Sequence, residues 1–250
     1  MDPEKICYLI GAGDPGFPEG FGLPKEPREG DTVICADAGL LKLNKMGWTR
    51  KADYIIGDLD SVEGEEAGAA EKLIASHAPD RTTLDEEGTI GEVDKSLLLL
   101  PPEKNVTDLQ AAWNLGKALG CRRFLMTGCF GGRRFDHSLG NLQLLLSMAA
   151  DGSEVIACSN DVLILPLLAG QTFDSRKGSS DLIRKDRYLS LVPASGEARG
   201  VTIRGLKYEL EEGILPVGST LGISNEIRRG QEFSVSLKEG SLWIVISEKD

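Results

Sequence analysis

The feature that most constrains the fold is a change of periodicity near Gly170. Before it, apolar runs of strand length alternate with stretches of helical spacing; after it, only short strand-like runs separated by turns remain. "KICYLIGAG", "DTVICADAG", "ADYIIGD", "RRFLMTG" and "SEVIACSND" read as strands. "LLKLNKMGW", "NVTDLQAAWNLGKALG" and "DHSLGNLQLLLSMAADG" read as helices. In the second of these helices, Thr107 followed three residues later by Gln110 forms a capping box, and Gly120 is suited to the stop. Strands separated by helices imply βαβ units, hence a Rossmann-like α/β domain with a mostly parallel sheet. Past Gly170, "YLSLVPAS", "GVTIRGLKYEL", "STLGISNEI", "QEFSVSLKEG" and "SLWIVISEK" predict an all-β sandwich or barrel, with "KEGS" as the hairpin turn between the last two. The boundary is expected between Leu165 and Gly170, which gives an α/β domain over 1–166 and a β domain over 167–250.

Composition narrows the function classes. The 250 residues are 41% hydrophobic, enough for a sizeable core. The formal net charge of -11 argues against nucleic-acid or anionic-membrane partners, which need clustered Lys and Arg. Much of the acid lies between Glu63 and Asp94 and reads as a solvated insertion. Cys7, Cys35, Cys121, Cys129 and Cys158 are odd in number and widely spaced, without a C-x-x-C pair. They read as free thiols in a reducing compartment. No apolar run is long enough for a membrane span and no signal peptide precedes the first strand, so the expected location is the cytoplasm.

Chemistry is suggested where strands end in glycine and acid. Asp58 and Asp60, two apart after Tyr54–Ile56, point to one side if the chain stays extended, roughly 6.5–7 Å apart. Two ionised carboxylates at that distance repel by about 2–3 kcal/mol at an effective dielectric near 20, unless a cation sits between them. Mg²⁺ suits such hard oxygen ligands together with substrate phosphates. Asp37 also follows an apolar strand and Asp108 opens a helix. In a parallel sheet all four acids reach the edge where ligands bind. "GCFGGRRFDHSLGN" offers a second phosphate-facing stretch: Gly131 and Gly132 for close backbone approach, Arg133 and Arg134 for charge, and Asp136 as helix cap or substrate ligand. "GAGDPG" is a weaker glycine loop. In the second region Tyr208 is suited to stacking on a heteroaromatic ring, and Ser224 and Asn225 to hydrogen bonding it. Taken one by one, a half-buried strand aromatic and a Ser-Asn turn explain these three as well.

The ordered set "CADAG", "IIGDLDS", "EKNVTD", "GGRRFDH…N", "GVTIRGLKY" and "GSTLGISNE" resembles the thiamine pyrophosphokinase (thiamin diphosphokinase) family over nearly the whole chain. The resemblance implies an α/β catalytic domain, a thiamine-binding β domain and a homodimer with active sites at the subunit interface. It also implies Mg²⁺-dependent transfer of diphosphate from ATP to the hydroxyl of thiamine, with release of AMP. Carried over position by position, Asp37, Asp58, Asp60 and Asp108 form the acidic cluster, with Asp58, Asp60 and Asp108 as metal ligands. Gly131, Gly132 and Arg134 bind ATP, Asp136 lies by the reacting hydroxyl, and Tyr208, Ser224 and Asn225 line the thiamine pocket. Three positions depart from the family pattern. Ala38 stands where a glycine is usual, Asn105 where an acid is usual, and "GGRRFDH" is one residue longer, with Arg134 keeping the spacing to Asp136. A Mg²⁺-dependent nucleotide-sugar transferase also uses a strand-end D-x-D, and a non-catalytic thiamine or nucleotide sensor would keep the pocket without turnover.

Overall fold

The structure, a computed structural model, describes residues 5–17, 21–57, 80–81, 97–100, 103–132, 134–159, 161–177 and 180–249. The acidic stretch 63–94 lies outside them except for residues 80 and 81. The chain divides into two compact units, one of residues 1–16 and 25–144, the other of residues 17–24 and 145–250.

In the first unit six strands follow the order β6-β1-β2-β3-β5-β4. They are β1 (Ile6–Ile10), β2 (Thr32–Ala36), β3 (Tyr54–Gly57), β4 (Asp80–Arg81), β5 (Leu97–Leu99) and β6 (Arg123–Thr127). Every neighbouring pair is parallel. β2 is buried along its whole length, as is β1 from Cys7 onward. Continuous burial is what a sheet covered on both faces requires, and it explains why these runs lack polar alternation. Helices α1 (Gly39–Lys45) and α2 (Asp108–Ala118) both lie against β1 and β2. On α2, Leu109, Ala112 and Leu115 recur at helical spacing and are buried, and each leucine so buried contributes about 1.5–3 kcal/mol. Helix α3 (Phe135–Ala150) follows β6.

The second unit holds β7 (Glu154–Ser159), β8 (Val162–Leu168), β9 (Thr172–Asp174), β10 (Arg187–Pro193), β11 (Glu197–Arg204), β12 (Leu210–Pro216), β13 (Asn225–Ile227), β14 (Ser234–Ser236) and β15 (Ser241–Glu248). β13-β10-β15-β8-β7 pair antiparallel, and β12-β11-β14-β9 form a separate antiparallel sheet. The two sheets meet where β10 and β12, and β11 and β15, come together. Two short 3-10 turns, Ser175–Lys177 and Ser180–Ile183, connect β9 to β10.

Two expectations are corrected. Parallel order does not extend to β8: Ser159 pairs with Val162, so β7 and β8 run antiparallel with only residues 160 and 161 between them. That is far too short for the crossover a parallel pair needs. The "KEGS" turn does not close a hairpin: β14 pairs with β11 and β9, whereas β15 pairs with β10 and β8. The turn therefore carries the chain from one sheet to the other. Trp243 sits in the buried run of β15, and all five cysteines are free and buried. Among the described residues no helix is long and apolar enough to cross a membrane.

Candidate active site

Because the first unit's strands are parallel, the chain leaves β1, β2, β3, β5 and β6 on one edge, where open α/β sheets bind ligands. The loops after β1 and β6 run against each other there. The Gly11, Gly13 and Asp14 amides donate to the Thr127, Gly128 and Phe130 carbonyls at 2.9, 2.6 and 2.9 Å. Thr127, fully buried, accepts from the Gly16 amide and donates to its carbonyl through the same hydroxyl, both at 3.0 Å. A Cβ on Gly11 would lie 2.5 Å from the Gly128 carbonyl oxygen, and one on Gly128 would lie 2.4 Å from that of Gly11. "GAGDPG" is thus accounted for as the backbone partner of the β6 loop. On α3, the Asn141 side-chain amide donates to the Cys129 carbonyl at 2.6 Å and fixes the same loop from the helix side. Gly131 and Gly132 are exposed beyond these bonds.

Asp37 follows β2 in a left-handed conformation (φ 51), and its amide donates to the Ile56 carbonyl at 2.8 Å. Gly57 is required by this neighbour: a Cβ there would sit 3.1 Å from both the Asp37 nitrogen and Cα. The strand-ending glycine therefore makes room for Asp37. Asp37 is 7% exposed, and its Oδ1 has no hydrogen-bond partner among the described residues. A buried carboxylate oxygen without a donor is costly and fits a hard cation or a ligand's donor. Asp58 and Asp60 lie outside the described residues, and within those residues no three His, Cys, Asp or Glu side chains come together as a metal group.

Asp108 is the first residue of α2, where its charge suits the helix dipole, and the Thr107 hydroxyl caps the helix by accepting from the Gln110 amide at 3.3 Å. The Lys104 ammonium lies 3.1 Å from Asp108 Oδ1, and the lysine side chain is only 8% exposed. Sequence reading passed over Lys104, although its four-residue spacing to Asp108 was a usable signal.

Helix α3 starts at Phe135, so Asp136 is inside the first turn and is not the N-cap. The Arg134 guanidinium grips its carboxylate through Nε and Nη2 at 3.0 and 2.6 Å. These bonds hold Asp136 down to about pKa 2. Both residues are exposed, so the pair does little for stability.

In the second unit the residues picked from sequence have unequal roles. Tyr208 lies in the turn between β11 and β12 with 59% of its surface exposed, and is not a strand residue. Asn225, 8% exposed, opens β13 and is bound to this turn. Its Oδ1 accepts from the Tyr208 and Glu226 amides at 3.0 and 2.8 Å, and its Nδ2 donates to the Tyr208 carbonyl at 2.7 Å. Asn225 thereby fixes the turn that presents the Tyr208 ring. Ser224, exposed and left-handed (φ 60), is held through its amide by the Ser190 hydroxyl at 3.0 Å, which leaves its own hydroxyl outward. Beside them Lys207 and Lys249 clamp the Glu226 carboxylate at 2.5 and 2.7 Å and depress it to about pKa 2.

Comparisons with known proteins identify the family. Two family models match: thiamin pyrophosphokinase, catalytic domain, over residues 24–157, and thiamin pyrophosphokinase, vitamin B1 binding domain, over residues 174–242. A thiamine pyrophosphokinase of Bacillus subtilis (strain 168) is 33% identical over 200 residues, covering 78% of this chain and 74% of the relative. The crystal structure of thiamine pyrophosphokinase from Bacillus subtilis superposes with a TM-score of 0.73 at 25% identity, over 98% of this chain and 100% of that one. That of thiamin pyrophosphokinase from Geobacillus thermodenitrificans gives 0.71 at 25% identity, over 98% of each chain.

Proposed function

The chain belongs to the thiamin pyrophosphokinase family and transfers diphosphate from ATP to the hydroxyl of thiamine, and from that premise we propose how its residues divide the work. The segment 1–166 is the Rossmann-like catalytic part and 167–250 the thiamine-binding part. The active protein is a homodimer, with its sites at the subunit interface, in the cytoplasm. The observation that carries the site assignment is Asp37, a buried carboxylate with an oxygen that has no hydrogen-bond partner among the described residues, at the sheet edge where five strands release the chain. Asp58 and Asp60 follow β3 two and four residues after Ile56, and with Asp108 they would hold Mg²⁺. Bound there, Mg²⁺ supplies charge neutralisation for the phosphates.

The chain's own residues do the remaining work. Gly131 and Gly132 let the backbone approach the phosphates, and Arg134 binds them with its planar fork. When Arg134 turns to a phosphate it releases Asp136, whose carboxylate then recovers its ordinary basicity near the thiamine hydroxyl. The hydroxyl oxygen bonds to the β-phosphorus, the bond to the α-phosphate oxygen breaks, AMP leaves, and the proton passes to a carboxylate, Asp136 or Asp108. Tyr208 lays its ring on the cationic thiazolium for about 0.5–2 kcal/mol, and the Ser224 hydroxyl hydrogen-bonds the substrate. Asn225 acts one step back, by holding Tyr208.

Thiamine-dependent AMP release from ATP and Mg²⁺ tests the assignment. Asp58→Asn and Asp60→Asn are expected to lower turnover on the order of 10²–10³-fold while leaving the unfolding midpoint unchanged. Near-normal turnover in both would remove them from the metal site.

A further inference from the structure

Two loops of the second unit come together around a shallow, open cavity of about 580 Å³ lined by Ile183, Arg184, Lys185, Arg229 and Gly230. In a chain of formal net charge -11, three cations around one cavity call for an explanation. Two of the three cations have a carboxylate beside them, and the guanidinium of the third has none among the described residues. Asp181 Oδ1 pairs with Arg184 Nε at 2.8 Å, Asp186 Oδ1 accepts the Arg229 amide at 2.7 Å, and Glu248 Oε1 pairs with Arg187 at 3.2 Å. Lys185 is only loosely associated with Glu248, at 3.8 Å. The Arg229 guanidinium is exposed and has no ion-pair partner among the described residues.

The two loops that carry these lining residues are well fixed. Arg187 is fully buried, stacks on Phe21 at 4.2 Å, and donates through Nη1 to the Asp181 and Leu182 carbonyls at 2.9 and 2.8 Å. Those carbonyls belong to the turn that leads directly into Ile183 and Arg184. The Gly230 amide donates to the Ile183 carbonyl at 2.7 Å and ties the second loop to the first. Burying a guanidinium to hold a surface turn is expensive, and it fixes the backbone from which Arg184 and Lys185 project.

We propose that this cavity is a binding site for a small anion carrying a phosphoryl group of two or more negative charges. The Arg184 and Arg229 forks and the Lys185 ammonium hold its oxygens, and Ile183 with the arginine stems contacts its apolar part. Planar guanidinium forks match phosphoryl oxygens two at a time, and the cavity lies within the roughly 300–1,000 Å³ typical of small-ligand sites. The site stands on residues of the second unit alone and does not depend on the acid cluster.

Titration calorimetry of the full chain with inorganic pyrophosphate, at fixed ionic strength and without Mg²⁺, tests it. The native chain is expected to bind pyrophosphate at this cavity. Arg229→Ala and Lys185→Glu are each expected to weaken that binding by about tenfold or more, the loss of one charge-assisted contact. Both variants should keep kcat/KM for ATP and thiamine within about twofold, a bound set by the absence of these residues from the reacting site. AMP and thiamine diphosphate, titrated in parallel, report which phosphate ester the cavity prefers. Three results would each overturn the proposal: pyrophosphate binding unchanged in both variants; sulfate binding as tightly as pyrophosphate; or turnover falling in step with binding, which would make the cavity part of the reaction site.

Discussion

The edge of the parallel strands and the Tyr208 turn both carry polar groups, but they are built differently. At the edge, backbone meets backbone: the β1 and β6 loops touch through Gly11 and Gly128, and Gly57 clears space for Asp37. At the turn, one buried side chain, Asn225, does the positioning with three hydrogen bonds. The first arrangement leaves no room for an added atom at Gly11 or Gly128. The second depends on a single amide.

The sharpest way to break this contrast is to add one methyl group. Gly128→Ala places a Cβ at 2.4 Å from a carbonyl oxygen and forces a side chain into φ +64. The expected cost is about 2–4 kcal/mol, seen as a lower midpoint in urea unfolding. Gly132→Ala, with φ +76 but nothing within 4 Å of the added atom, is the control and should cost about 1 kcal/mol. Equal losses would show that backbone conformation, and not the contact between loops, is what the edge depends on.

Next in size is Asn225→Ala, which leaves the Tyr208 and Glu226 amides and the Tyr208 carbonyl to find other partners. A loss of about 1–3 kcal/mol is expected in unfolding, with a rise in KM for thiamine larger than that for ATP. An equal rise for both substrates would mean that Asn225 does not act through the turn.

The smallest effect separates electrostatics from structure. Arg134→Ala removes both contacts to the Asp136 carboxylate, so its pKa should rise from about 2 toward the ordinary value near 3.9, followed by NMR titration. The sign is fixed: in the native chain this ion pair is fully formed above the unfolded carboxylate's pKa and is lost as pH falls through about 2. Unfolding midpoints near neutral pH should barely move, because both groups are exposed.

How much of this could be read from the sequence follows the same division. Strand ends in glycine and acid, the Thr107–Gln110 cap and the helices after β2, β5 and β6 were legible because local periodicity and turn chemistry determine them. Pairing partners were not. "KEGS" announces a reversal, yet a turn does not say which strand lies alongside, and here it separates β14 from β15. β8 carries the same apolar signature as the parallel strands, and only the two-residue gap after β7 betrays its direction. At the site, residue type singled out Asn225 as a polar position, but did not say whether its amide faces a ligand or the Tyr208 backbone. Lys104 and Arg187 were overlooked because a buried cation looks like any surface cation until its partner is known.

The pairing of the β1 loop with the β6 loop also has a dynamic consequence. The amides of Gly11, Gly13, Asp14 and Gly16 are bonded to β6 and its loop, so they exchange with solvent only when that element opens. A segment that looks like an open glycine loop therefore belongs to the cooperative unit of a central strand. Hydrogen exchange is expected to show these four amides protected together with the β6 amides, which would tie this edge to the core.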